Sequence, residues 1–100
     1  MVPISFTREP SYTVAHKNKP VTLNCGVNGK PPPSSFTWEK DGQEIIPDSR
    51  RTIDSNGALH ITRVIHTRES KPDVGEYQCF ASNERGRIAS RKVRLDVAGK

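Results

Sequence analysis

Residues 71–79 read KPDVGEYQC. Asp73, Gly75, Tyr77 and Cys79 stand at two-residue spacing, so in an extended chain their side chains share one face. A carboxylate, a glycine, a phenol and a thiol in one row do not form a nucleophile–base set. They fit a strand that enters a core from a tight corner.

The surrounding sequence has the same period. Val21, Leu23 and Cys25 alternate with Thr22 and Asn24, and Phe36 and Trp38 alternate with Thr37 and Glu39. Leu59 and Ile61 alternate with His60 and Thr62, and Val93, Leu95 and Val97 close the chain on one face. NGKPPPSS over 28–35 reads as a loop. Asp41-Gly42 and Asn56-Gly57 read as hairpin turns. No helical period runs longer than about one turn. Ile88 has even parity whereas Val93, Leu95 and Val97 are odd, so one straight strand cannot bury both sets. This predicts a bulge between Ser90 and Lys92.

The chain has 100 residues, one domain's length. Its mean hydropathy of −0.71 implies a small core that a covalent staple would help. Cys25 and Cys79 are too few for a zinc site of their own. They read as one disulfide from an oxidising compartment, or as two buried thiols. Closing that loop would stabilise the fold by about 4 kcal/mol in the chain-entropy picture. No apolar run approaches a membrane span, and Met1-VPISF is not a signal peptide. Met1 therefore reads as an initiator added to a fragment. Residues 3–98 read as one domain, with 1–2 and 99–100 as added or linker ends.

Cys25, Trp38 thirteen residues later and Tyr77-x-Cys79 together resemble the spacing of an immunoglobulin sandwich. The resemblance implies an all-β fold of two antiparallel sheets with a Cys25–Cys79 disulfide between them. Trp38 would pack on that bridge, and Tyr77 would turn its hydroxyl to the backbone of the preceding corner. Gly75 would let the corner be tight, and Asp73 would pair with Arg50 or Arg51. EP at 9–10, VTLNC at 21–25, TWEKDG at 37–42 and ASNERG at 81–86 resemble the intermediate (I-set) class.

VIHTRESKPDVGEYQC over 64–79 narrows the likeness. The usual I-set link here is shorter, and IHTRESKP stands as an insertion. Similar insertions mark the first immunoglobulin domain of the DCC/neogenin netrin receptors, with a close counterpart in roundabout receptors. SFTREP and the closing VAG are similar to that set as well. Val74 and Ala58 depart from it, where the family often carries Glu and a glycosylation sequon. The resemblance implies an extracellular guidance or adhesion receptor that binds a protein ligand or its own neighbouring domains. Intracellular muscle immunoglobulin units are the competing source.

No hydrolase elbow, metalloprotease motif, P-loop or dinucleotide fingerprint occurs, so no catalytic, cofactor or metal residue is assigned. His60 reads as a solvated strand residue, and His66 falls in the insertion. None of Asn18, Asn24, Asn28, Asn56 and Asn83 begins a glycosylation sequon. Sixteen Lys and Arg against eleven Asp and Glu give a formal charge of +5. Arg63, Arg68 and Lys71 on the insertion, with Arg85, Arg87, Arg91, Lys92 and Arg94 near the end, are candidate contacts for heparan sulfate. The alternative is a charged strand kept safe from edge pairing. Nucleic acid is disfavoured because the aromatic residues are committed to the core. Phe80 has outward parity between Cys79 and Ala81. It would anchor a protein partner, or pack beneath Tyr12, the N-terminal strand or the proline loop.

Overall fold

The computed structural model describes residues 4–29, 32–33 and 35–98. Part of the proline loop, Pro31 included, lies outside them. Among the described residues eleven strands form: β1 (Ser5–Arg8), β2 (Thr13–His16), β3 (Val21–Leu23), β4 (Gly26–Asn28), β5 (Ser35–Lys40), β6 (Gln43–Glu44), β7 (Arg51–Ile53), β8 (Leu59–Ile61), β9 (Gly75–Asn83), β10 (Gly86–Ala89) and β11 (Val93–Ala98). One sheet runs β2-β11-β9-β5-β6, with β10 also on β9. The facing sheet runs β3-β8-β7, and β1 pairs with β4.

Period-two burial drives this arrangement. Leu23, Cys25, Trp38, Leu59, Ile61, Tyr77, Cys79, Val93 and Leu95 form one buried cluster between the sheets. Cys25 and Cys79 are bonded through it, with Cα atoms 6.4 Å apart. Trp38 is the cross-strand partner of Cys79, so the indole lies beside the bridge. Its Nε1–H donates to the Gly57 carbonyl at 2.8 Å, which ties the β7–β8 turn to the core. Asp41 and Gly42 both have positive φ (53° and 84°), as a two-residue hairpin turn requires.

One ladder departs from the antiparallel expectation. β2 pairs with β11 in parallel, Thr13 to Leu95 through His16 to Ala98. The first stretch of chain pairs with β4 and then crosses to the other sheet at buried Pro10. It then runs alongside the last strand in the same direction. The crossing is held by Glu9, whose Oε1 accepts from the Arg91 N–H at 2.8 Å.

The parity break near Ser90 is present. Register slips by one residue between the Ala89–Phe80 and Val93–Tyr77 pairs. Ser90 donates its N–H to the Cys79 carbonyl, and its Oγ accepts from the Cys79 N–H at 2.9 Å. A serine hydroxyl thus replaces a ladder rung, and both Ile88 and Val93 can face inward.

The corner resolves the arginine alternatives and corrects two readings. Asp73 is fully buried, and its Oδ2 accepts from Arg50 Nη1 at 2.7 Å and from the Ile65 N–H at 2.8 Å. Arg51 is not the partner. It is the cross-strand neighbour of Ile61, on the inward parity of Ile53, and its Nε is buried without a hydrogen bond. Tyr77 donates its hydroxyl to the Asp73 carbonyl at 2.7 Å, as expected. Burial, then the Asp73 charge, push its phenol well above the ordinary tyrosine value.

Gly75 is needed for space rather than for a tight backbone. A Cβ there would come within 2.7 Å of Asp41 Oδ2. That carboxylate accepts from the Glu76 N–H at 3.0 Å and from Lys40 Nζ at 2.9 Å. The Glu76 N–H bond first, and Lys40 second, hold the Asp41 carboxyl below its usual value. Gly75→Ala is therefore expected to push the exposed Asp41 carboxylate aside and cost about 1 kcal/mol or less, the worth of its surface hydrogen bonds. Denaturant titration would check this, and Gly42→Ala is unsuitable as a control because its positive φ adds strain of its own.

Candidate functional site

The eight candidate cations do not form one row. β9 spans nine residues from the corner to the β9–β10 turn, about 30 Å at the strand rise. Arg63, Arg68 and Lys71 lie at the corner end, and Arg85 and Arg87 at the other.

The last strand between them is charge-compensated. Arg94 Nε donates to Asp96 Oδ1 at 2.8 Å, and Glu76 is its cross-strand neighbour. Arg91 lies 3.8 Å from Glu9. Lys92 shares a shallow cavity of about 320 Å³ with Glu39, Asp41 and Glu76. Carboxylates this close oppose a polyanion at those three positions.

The corner end is different. The β2–β3 turn pairs with the chain where it enters the insertion: the Asn18 N–H donates to the Val64 carbonyl (2.8 Å), and the Val64 N–H to the Lys19 carbonyl (2.9 Å). Asn18, at φ 66°, accepts from Arg63 Nη1 at 2.7 Å. Within the insertion the Thr67 N–H donates to the Ser70 carbonyl, and Lys71 Nζ to the Arg68 carbonyl at 3.0 Å. Exposed Lys17, Lys19, Arg63, Arg68 and Lys71 are thereby gathered on the turn and the insertion, with Glu69 the one carboxylate of these segments. Among the described residues none of the five makes an ion pair. Lys17 and Lys19 were missed from sequence because only the long-range pairing of Asn18 with Val64 brings them there.

Phe80 requires a correction. It faces outward as its parity predicts, yet it is only 9 % exposed. Arg87 lies over it, with its guanidinium carbon 4.0 Å from the ring centroid. Phe80 pairs with Ala89, so Arg87 is its diagonal neighbour on β10. The outward face of β9 and β10 thus carries an arginine laid over an aromatic ring. Tyr12 stands apart, 62 % exposed, and donates its hydroxyl to Asp96 Oδ2.

His60 is half-exposed and engaged at both ring nitrogens rather than merely solvated. Nε2 lies 2.7 Å from Asp54 Oδ2, and Nδ1 lies 2.9 Å from Thr22 Oγ1. Asp54 Oδ1 also accepts from the Asn56 and Ala58 N–H groups. The His60 bond first lowers the Asp54 pKa, keeping that carboxylate ionised. This set staples β3, β8 and the β7–β8 turn together. No group of three or more metal-ligating side chains occurs among the described residues.

A family profile described as "Immunoglobulin domain" matches residues 4–83. Human (Homo sapiens) Roundabout homolog 2 is 39 % identical over 101 residues, covering 96 % of this chain and 7 % of that protein. Human neogenin is 40 % identical over 100 residues, covering 97 % of this chain and 7 % of that protein. The chain thus spans a small part of the curated relatives it matches. A chain in the crystal structure of the titin M10–obscurin-like 1 Ig complex superposes with a TM-score of 0.81 at 29 % identity. That match covers 98 % of this chain and 96 % of the other.

Proposed function

The chain belongs to the immunoglobulin domain family, and from that premise we propose that it is a non-enzymatic recognition module from the extracellular part of a cell-surface guidance or adhesion receptor. The observation that carries this reading is similarity to Roundabout homolog 2 and neogenin along nearly the whole chain. An oxidised core disulfide agrees with an extracellular setting. The module would bind a protein partner or a neighbouring domain through the outward face of β5, β9 and β10, with Arg87 on Phe80 at its centre. Arg87→Glu in a multidomain ectodomain is expected to weaken capture of its protein ligand by about tenfold or more. Wild-type affinity would remove that face from the proposal.

A second reading is favoured by the five cations gathered at the corner end. Heparan sulfate would bind there by releasing its counterions, rather than along the compensated last strand. Reversing Lys17, Lys19 and Lys71 to Glu is expected to bring elution from heparin down to that from a sulfonate column of matched charge density. Arg91→Glu, whose side chain already lies beside Glu9, is expected to have a smaller effect. Equal elution of the unmodified domain from both columns would refute this reading.

A further inference from the structure

The β5 edge is left half covered, and the cause is in the sequence. β6 is only two residues long and pairs with Glu39 and Lys40 alone. Ile45 adds one bond, its N–H donating to the Trp38 carbonyl at 2.8 Å. Pro47 follows, with no N–H to donate, and the chain departs toward β7. Backbone groups alternate sides along a strand, so the even-numbered residues of β5 direct N–H and C=O toward β6. The next even residue is Phe36, which lies beyond the end of β6. No strand among the described residues pairs with Phe36 on that side.

Beside this uncovered edge lies a cavity of about 440 Å³ lined by Pro33, Ser35, Phe36, Pro47, Ile53, Asp54 and Ser55. Apolar Pro33, Phe36, Pro47 and Ile53 share this lining with polar Ser35, Ser55 and Asp54, and among the described residues the Asp54 carboxylate is its one charged side chain. In a chain of net charge +5, no cation stands among the described residues of this lining. Ile46, next to Pro47, is 69 % exposed.

We propose that the Phe36 edge is a strand-addition site for an extended peptide segment of a partner protein, one apolar side chain filling the cavity and a flanking Lys or Arg meeting Asp54. The Phe36 N–H and C=O supply the two main-chain bonds, and the cavity reads the alternate side chain. The carboxylate, although bonded to His60 and to the Asn56 and Ala58 N–H groups, stays 38 % exposed, and its charge favours a basic flank over an acidic one. A short edge strand ending in proline is also a common defence against aggregation. Here that defence stops short of Phe36, and what it leaves open is a shaped, charge-biased groove.

The test uses the oxidised domain with isotope-labelled amides and three blocked hexapeptides. The first alternates Val and Thr between Arg ends, the second is the same peptide N-methylated at its central amides, and the third carries Glu ends. The expected result is saturable shifts at the Phe36, Ile53 and Ser55 amides with the first peptide. N-methylation should weaken binding by about tenfold or more, because the main-chain bonds are lost. Glu ends should weaken it as well. No saturable shift at Phe36 would overturn the proposal, as would equal binding of the N-methylated or the Glu-ended peptide. The peptides are scored at the Phe36, Ile53 and Ser55 amides on the outer edge of β5, two strands away from Arg87 on β10, so failure here leaves the Arg87 reading to its own test.

Discussion

Arg50→Met is expected to destabilise the domain by roughly 3–5 kcal/mol, whereas Arg51→Met should change stability by about 1 kcal/mol or less. The two residues are adjacent in sequence and opposite in role. Arg50 compensates a carboxylate that is fully buried, and also donates to the Arg63 carbonyl at 3.0 Å. Without it, Asp73 keeps one N–H donor and carries an unpaired charge in a dry corner. Arg51 contributes mainly its aliphatic stem, which Met reproduces, while its Nε already lacks a partner. Urea unfolding of the two variants would separate these roles. Combining Arg50→Met with Asp73→Asn should recover part of the loss, since the unpaired charge is removed. Equal destabilisation by the two single variants would mean that the pairing at the corner is wrong.

Replacing both Cys25 and Cys79 by Ala is expected to cost about 4 kcal/mol by chain entropy alone, with a cavity penalty added. The bridge closes a loop of sequence separation 54 through the buried core. A 100-residue domain with a small core has total stability of about 5–15 kcal/mol, so this loss leaves it marginal at body temperature. Thermal unfolding with and without reductant would measure it. A melting temperature unchanged by reduction, with loss of the bond verified by mass, would contradict the structural role assigned to the bridge.

Local parity made much of the fold legible. The alternation around Cys25, Trp38, Tyr77 and Cys79 fixes which side chains meet between the sheets. The mismatch between Ile88 and Val93 located the bulge, although not the serine hydroxyl that completes it. Parity also placed Phe80 outward, but it could not show that a diagonal neighbour covers the ring. The choice between Arg50 and Arg51 had a usable signal in Ile53, which shares the inward parity of Arg51. The basic end had no such signal. Lys17 and Lys19 are separated from Arg63 by more than forty residues, and only the Asn18–Val64 pairing joins them. The opening beside Phe36 was equally hidden, because it arises where β6 stops at Pro47.

The most direct test of the recognition-module reading is where this domain stands on a cell that makes it. An antibody to the folded domain would be applied to intact and to permeabilised cells, together with a membrane-impermeant thiol reagent. The expected result is equal staining before and after permeabilisation, with Cys25 and Cys79 unreactive until a reductant is added. Staining only after permeabilisation, with both cysteines recovered as free thiols from the unfolded protein, would contradict it. That result would make the chain an intracellular structural unit instead.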